Sequence, residues 1–367
     1  MRIAIVLNTS WNIYNFRLGL VKTLLEEGHD VVAIAPKDEY TSKLIDLGCS
    51  FEEVKMDSRG ANPLKDFGLT FELFRIYRRQ KPDVILHYTI KPNIYGTIAA
   101  SLLRLPAINN VCGLGTSFLN KNLVSRIALA LYKIAFKFPK LVYFQNKDDK
   151  DFFLSAGLIK KDKTDILPGS GINTNKFIPS VENKEQKPFT FLLISRLIYD
   201  KGIVEYIDAI KILKAKGVDA RFQLLGKIDE FHTRGIEKEL VDTWVEQKAV
   251  DYLGSTDDVK PFIQNSDCVV LPSYREGTPR SLLEAASSGK PIITTDVAGC
   301  RNVVDDNVNG YLCKVQDPID LANKLEKMIS QDSQTVGNMG KASREIAINR
   351  FDEQIVIDKY LDSISKV

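Results

Sequence analysis

Short apolar runs alternate with amphipathic helical stretches along this chain, and the whole alternation occurs twice. In the first half, "RIAIVLN", "DVVAIAP", "DVILHY", "AINNVC" and "LVYFQN" have the length and β-branched content of buried strands. Stretches such as "FRLGLVKTLLEEGH" and "DFGLTFELFRIYRRQ" separate them. Runs that stay apolar instead of alternating with polar residues are buried on both faces, so the series predicts βαβ units and a parallel sheet clad by helices. The pattern breaks at "INTNKFIPSVENKEQKP", polar and proline-containing as a linker should be. It then restarts with "FTFLLISR", "ARFQLLG", "VDYLG", "DCVVLPS", "PIITTD" and "GYLCKV". The expected fold class is α/β, with doubly wound domains at 1–178 and 179–351. A last amphipathic helix, "DEQIVIDKYLDSISKV" at about 352–367, is expected to pack back on the first domain. The length of 367 residues agrees, because it exceeds what one hydrophobic core usually serves.

Composition excludes several classes. A hydrophobic content of 44% with 26% charged residues describes a globular chain and not a disordered one. The five cysteines, Cys49, Cys112, Cys268, Cys300 and Cys313, form no C-x-x-C pair and read as reduced, incidental thiols of a cytoplasmic protein. No signal peptide is read at "MRIAIVLN", and no apolar run approaches the roughly 18 residues of a membrane span. Contact with a membrane is compatible with these features; crossing one is not expected. Net charge is asymmetric: Met1 to Ser180 holds 25 Lys/Arg against 17 Asp/Glu, whereas the remainder holds 25 against 30. Between Asp83 and Asp148 there is no acid, while Lys91, Arg104, Lys121, Arg126, Lys133, Lys137, Lys140 and Lys147 all fall there. The two halves therefore face different partners.

In open α/β sheets, ligands lie beyond the carboxyl ends of the strands, and a cleft between the domains is the expected location. The first strand leads into "NTSWNI", which lacks glycine, so the dinucleotide fingerprint is missing and a dehydrogenase is not expected. There is no Walker A sequence, and His29, His87 and His232 have no metal-ligand spacing. Asp149-Lys150-Asp151 mimics a metal-binding D-x-D but stands at a helix start, where acids cap exposed amides. No nucleic-acid partner, metal or cofactor is expected.

The segment "REGTPRSLLEAASSGKP", Arg275 to Pro291, holds two carboxylates around a helix start. Thr278 as N-cap and Pro279 at the first helical position would begin the helix. Glu276 then lies in the loop beyond a strand's carboxyl end, and Glu284 in the second helical turn. Helix-terminal amides near Thr278, Arg280 and Ser281 suit an anion, Pro279 between them supplying none. The flanking carboxylates suit hydroxyl groups, such as a sugar on one side and a ribose on the other. In "LLISRLIYDKG", Arg196 and Lys201 follow the first strand of the second domain, where a forked and a compact cation would grip a diphosphate. The simpler alternative pairs Arg196 with a surface acid and makes Lys201-Gly202 only a turn.

Together, "SRLIYDKG", "LLG" at Leu224 to Gly226, "LPSYREGTPRSLLEAASSGKPIITTD" and "NGYL" resemble the retaining GT-B glycosyltransferases of family 4. The eight-residue step from Glu276 to Glu284 is the most specific part of the likeness. The resemblance implies two Rossmann-like domains, with an acceptor-binding one first and a nucleotide-sugar-binding one second. It further implies that Arg196 and Lys201 bind the diphosphate of a nucleotide sugar, expected to be UDP-linked, that Glu276 orients the donor sugar, and that Glu284 holds the ribose. Backbone around Gly277, Thr278, Pro279 and Arg280 would complete the phosphate site, so Glu276, Arg196 and Lys201 are the expected catalytic groups. No metal is implied. The pieces "YNFR", "KPNIYG", "GLGTSF" and "AGC" resemble the bacterial branch that builds lipid-linked oligosaccharides, including N-acetylgalactosaminyltransferases acting on undecaprenyl-diphosphate sugars. Many relatives carry a histidine where this chain has Cys112, and no histidine is assigned a catalytic role.

If "NLVSRIALALYKIAFKF" is helical, Arg126, Lys133 and Lys137 form one stripe beside a broad apolar surface. That arrangement suits peripheral contact with an anionic membrane and a lipid-linked saccharide acceptor, on the cytoplasmic face of the inner membrane. A core helix with a solvated basic stripe produces the same pattern. Two other functions share the fold: a UDP-sugar 2-epimerase, and an inactive module that binds a sugar nucleotide or a membrane.

Overall fold

A computed structural model of the chain describes residues 1–57, 63–114, 123–180, 188–230 and 232–367. Lys121, most of "GLGTSF" and the middle of the expected linker lie outside the described residues. The chain divides into two units, Met1–Ser170 with Glu353–Val367, and Gly171–Asp352.

The first unit contains β1 (Arg2–Val6), β2 (Asp30–Ala35), β3 (Ser50–Glu53), β4 (Val84–Tyr88), β5 (Ala107–Val111), β6 (Leu141–Phe144) and β7 (Thr164–Ile166). They form one parallel sheet in the order β3-β2-β1-β4-β5-β6-β7. Between them lie α1 (Ser10–Glu26), α2 (Thr41–Asp46), α3 (Pro63–Gln80), α4 (Thr97–Leu102), α5 (Leu123–Ala135) and α6 (Lys147–Ser155). Successive side chains of a strand point to opposite faces, and β1 divides accordingly: Ala4 and Val6 join Leu73, Tyr77, Phe136 and Phe153 on one side. Ile3 and Ile5 join Leu20, Val21 and Leu24 of α1 on the other. Asn146, rather than an acid of the D-x-D, caps α6 by accepting the Asp149 amide at 2.7 Å, and Asp148 and Asp149 lie in the first turn.

The second unit repeats the plan with β8 (Phe189–Ile194), β9 (Ala220–Leu225), β10 (Asp251–Tyr252), β11 (Cys268–Leu271), β12 (Ile292–Thr295) and β13 (Gly310–Cys313), all parallel, in the order β10-β9-β8-β11-β12-β13. Its helices are α7 (Ile203–Ala215), α8 (Lys238–Glu246), α9 (Lys260–Asn265), α10 (Arg280–Ser287), α11 (Pro318–Ile329) and α12 (Ser333–Phe351). Along β8, Phe191 and Leu193 pack with Ile207, Ile210 and Leu325, whereas Leu192 and Ile194 pack with Leu282, Leu283 and Ala347. Burying one such side chain contributes roughly 1.5–3 kcal/mol. The sheet is thus held by two separate apolar layers.

The chain ends on α13 (Glu353–Ser365), which belongs to the first unit. The Tyr360 hydroxyl accepts the Asn110 amide at 2.9 Å, and Lys359 Nζ donates to Asp165 and to the Ile166 carbonyl, each at 2.8 Å. Among the described residues no helix is long and apolar enough to cross a membrane.

In each sheet the strand order reverses beside the first strand, between β1 and β4 and between β8 and β11. The connections leave in opposite directions at such a point, and a crevice opens beyond the carboxyl ends of the two strands.

Candidate functional site

Three segments of the second unit meet beyond β8, β11 and β12. The turn Tyr199–Lys201 follows β8, and Gly202 after it has a left-handed backbone with φ 71°. A Cβ there would collide with the Pro272 carbonyl, so only glycine lets this turn lie against the loop after β11. The Tyr274 amide donates to the Asp200 carbonyl at 2.9 Å, and Ser273 Oγ donates to the same oxygen at 3.1 Å. Gly299, also left-handed at φ 81°, lets the segment after β12 approach the carbonyls of Glu276 and Gly277.

This convergence brings Lys201 and Glu276 together. Lys201 Nζ donates to Glu276 Oε1, which also accepts from Ser273 Oγ at 2.8 Å. Both charged side chains are mostly buried, at 19% and 13% exposure. A part-buried pair is screened much less by salt than a surface pair, and losing either member leaves a charge with little water around it. Beside them lies the buried Cys300 thiol, pushed up to about 12 by burial and then by Glu276, so it stays protonated. The Tyr274 hydroxyl donates to Glu205 at 2.6 Å and braces the same loop; burial pushes this phenol up to about 12 as well.

The helix start differs from the expected one by a residue. Pro279, with ψ 121°, is the cap, and α10 begins at Arg280. The Pro279 carbonyl accepts from Leu282 and Leu283 at 3.1 and 3.3 Å, while Thr278 Oγ1 donates to the Gly277 carbonyl at 3.0 Å. Proline in the cap position offers no side-chain acceptor, so Thr278 as N-cap is corrected. One turn on, Glu284 Oε1 accepts Arg280 Nε at 3.0 Å. Burial holds the Glu284 carboxyl above its usual range even though Arg280 works in the opposite direction.

Arg196 does not join the Lys201 pair. Its guanidinium is 59% exposed and lies 3.6 Å from Asp229, the acid of the "GKID" segment after β9. The simpler alternative for Arg196 therefore describes this arrangement, and a long exposed side chain is free to turn. Among the described residues no three His, Cys, Asp or Glu side chains are placed to hold a metal ion. Sequence reasoning missed Ser273, Asp229 and Gly299; of these, only the "AGC" piece around Gly299 carried a signal.

In the first unit, Arg126 and Lys133 are exposed on α5, but the helix stops at Ala135 and Lys137 stands exposed in the following turn. The broad apolar surface expected beside them is mostly core: Tyr132, Ala135 and Phe136 pack against the sheet. Ile134 and Phe138, about half exposed, accompany the basic stripe at the surface.

Residues 174–346 match the family model of glycosyl transferases group 1, and residues 2–146 match that of glycosyl transferase 4-like proteins. A relative from Campylobacter jejuni, N,N'-diacetylbacillosaminyl-diphospho-undecaprenol alpha-1,3-N-acetylgalactosaminyltransferase, is 32% identical, with 100% of this chain and 99% of the relative covered. The UDP-Gal:alpha-D-GlcNAc-diphosphoundecaprenol alpha-1,3-galactosyltransferase of Escherichia coli is 24% identical over 83% of this chain and 80% of its own. Among solved structures, Anabaena HepE in complex with UDP superposes with a TM-score of 0.80 at 20% identity, covering 100% of both chains. Sucrose-phosphate synthase from Thermosynechococcus elongatus gives 0.82 at 18% identity, covering 100% of this chain and 98% of its own.

Proposed function

Because the chain belongs to the family 4 glycosyltransferases of the GT-B fold, we propose that it moves a hexose or N-acetylhexosamine from a UDP-sugar to a saccharide carried on undecaprenyl diphosphate, in bacterial glycan assembly and with retention of anomeric configuration. The observation that carries the donor half is the Lys201–Glu276 pair at the strand-order reversal of the second unit, one loop before α10 and its Arg280–Glu284 pair. The acceptor half is supported by the activities of the Campylobacter jejuni and Escherichia coli relatives.

In this reading Arg196 turns from Asp229 to join Lys201 on the diphosphate, and the N-terminal backbone of α10, from Gly277 to Arg280, completes the phosphate site. A cation about 4 Å from a phosphate oxygen at an effective dielectric near 20 is worth on the order of 4 kcal/mol before desolvation. These charges do the work that a divalent cation performs elsewhere, so no metal is required. Glu276, already hydrogen-bonded to Lys201 and Ser273, turns an oxygen to the hydroxyls of the donor sugar. Glu284 accepts from the ribose hydroxyls. The bond from the anomeric carbon to the β-phosphate oxygen breaks as the bond to the acceptor hydroxyl forms on the same face. The acceptor proton passes to the departing phosphate oxygen, whose charge the cations stabilise most in the transition state.

The exposed Arg126, Lys133 and Lys137, with Ile134 and Phe138 beside them, suit peripheral contact with the anionic cytoplasmic face of the inner membrane. Family membership favours transfer over 2-epimerisation. The test is to offer a panel of UDP-sugars with an undecaprenyl-diphosphate saccharide, with and without EDTA. The expected result is an acceptor-dependent glycoside of unchanged anomeric configuration that forms equally with EDTA. An epimerised nucleotide sugar, an inverted product or a strict metal requirement would contradict this reading.

A further inference from the structure

The first unit also holds a cation at its strand-order reversal, and among the described residues no acid neutralises it. Arg17, on α1 after β1, is 5% exposed. Its guanidinium lies 4.4 Å above the ring of Tyr88, the last residue of β4. A hydrogen bond runs from Nη2 to the sulfur of Cys112, just past β5, at 3.9 Å, and thiol sulfur is a weak acceptor. Nε and Nη1 are buried without any hydrogen-bond partner, and the groups that act on its charge are Tyr88, Tyr360 and Cys112, none of them a carboxylate. The half-buried Arg344 and the buried Lys290 are treated differently. Arg344 Nη1 donates to the carbonyls of Thr174, Phe177 and Ser287 at 2.7–2.9 Å, and Lys290 donates to those of Gln264 and Ser266 at 2.8 Å.

A guanidinium with spare donors, removed from water and set at the carboxyl ends of β4 and β5, is arranged for an anion that arrives from outside. The forked N–H pattern matches two oxygens of one phosphate. Cys112 is half-buried, and its own thiol hydrogen is directed to Asn110 Oδ1 at 3.5 Å. The sulfur therefore leaves the guanidinium without a counter-charge.

We propose that Arg17, framed by Tyr88 and Cys112, is a diphosphate-binding residue of the first unit that takes the diphosphate of the lipid-linked acceptor. The assignment of that diphosphate to the acceptor rests on the function proposed above. The nucleotide is the other source of the same chemistry.

The test measures thermal unfolding of the full chain and its Arg17→Met and Arg17→Lys variants. The melting temperature is followed with UDP alone, with farnesyl diphosphate added at saturating UDP, and with inorganic pyrophosphate in the absence of UDP. Wild type should be raised by farnesyl diphosphate over UDP; Arg17→Met should lose that rise and Arg17→Lys should keep part of it. Without ligand, Arg17→Met should melt no lower than wild type, because the lost side chain had almost no acceptors. A purely structural arginine would do the opposite. In transfer assays, the KM for the undecaprenyl-diphosphate acceptor should increase about 10- to 100-fold in Arg17→Met, the size expected for charge-assisted hydrogen bonds. Equal farnesyl diphosphate responses in wild type and Arg17→Met, or no response in wild type, would overturn the proposal. A response to UDP lost in Arg17→Met would assign the anion to the nucleotide and overturn it too, whereas a pyrophosphate response that shrinks in Arg17→Met with the UDP response intact supports it. Failure of the donor reading shows separately, as no rise with UDP alone.

Discussion

The two strand-order reversals carry cations in opposite states. Beyond β8 and β11, Lys201 is closed onto Glu276, which Ser273 also holds, and the carboxylate is in place before any ligand arrives. Beyond β1 and β4, Arg17 rests on an aromatic face with two of its nitrogens unused as donors. One crevice is neutral in itself and has to exchange an internal partner for a ligand; the other lacks a partner until a ligand supplies it. Under the proposed function, the same sheet topology gives one site that selects sugar hydroxyls together with charge and one that selects charge alone. This distinction fits a donor, whose sugar must be aligned, and an acceptor, whose anion serves as a handle.

The comparison breaks most visibly at Lys201. Replacing it by Ala removes the compact charge on the leaving group and should lower turnover about 100- to 1,000-fold, the range seen when one preorganised donor to a developing anion is lost. Its Glu276 partner is mostly buried, so a lower melting temperature is expected as well. Steady-state rates with circular dichroism as a folding control measure both, and a variant with near-wild-type turnover would remove Lys201 from the leaving-group site.

A smaller effect is expected at the surface of the first unit. Each basic residue near an anionic bilayer contributes roughly 1 kcal/mol, so changing Arg126, Lys133 and Lys137 together to Gln should weaken liposome binding by on the order of 100-fold at low salt. Binding of UDP should be unaffected. Sedimentation with anionic vesicles reads the first effect, and unchanged sedimentation would return α5 to the role of a core helix with a solvated stripe.

The two glutamates should then separate. Glu284→Gln is expected to weaken UDP about tenfold, the size of one hydrogen bond to a charged group. Glu276→Gln should spare UDP and slow sugar transfer. Titration of both variants with UDP checks this, and equal losses of affinity would merge the two roles.

The smallest effect concerns pH. Burial raises the Glu284 carboxyl above its ordinary value of about 4.5, so between that value and the raised one the folded chain binds more protons than the unfolded chain. Stability from this group is full below about 4.5 and falls as pH rises through the folded value. Glu284→Gln should flatten that fall in urea titrations across mildly acidic pH; an unchanged slope would mean that Arg280 offsets the burial fully.

Much of the fold is legible in the order of residues alone. Five of the six strands of the second unit coincide with buried apolar runs in the sequence; β10, the edge strand within "VDYLG", is exposed at Asp251 and half-buried at Tyr252. In the first unit β3 and β7 escape that reading. They are the two edges of their sheet, short and only half-buried, so "SFEE" and "TDI" carry no apolar run. Local spacing is enough to find Glu276, Glu284 and Lys201. It does not find Asp229, which meets Arg196 only because β8 and β9 are neighbours, nor the bond from Ser273 to the Asp200 carbonyl. Arg17 does leave a trace: it occupies the buried face of α1 with Ile13, Leu20, Val21 and Leu24, a charge at a core position of a helical repeat. The apolar pattern around it hides the exception.

The central claim is that the crevice beyond β8 and β11 holds the nucleotide diphosphate. Calorimetric titration of UDP into wild type and into the Arg196→Ala/Lys201→Ala double variant, with folding of both verified, tests it most directly. The account expects wild type to bind and the double variant to lose at least about 100-fold in affinity, as two charge-assisted contacts disappear. Equal affinity in the two proteins would contradict it.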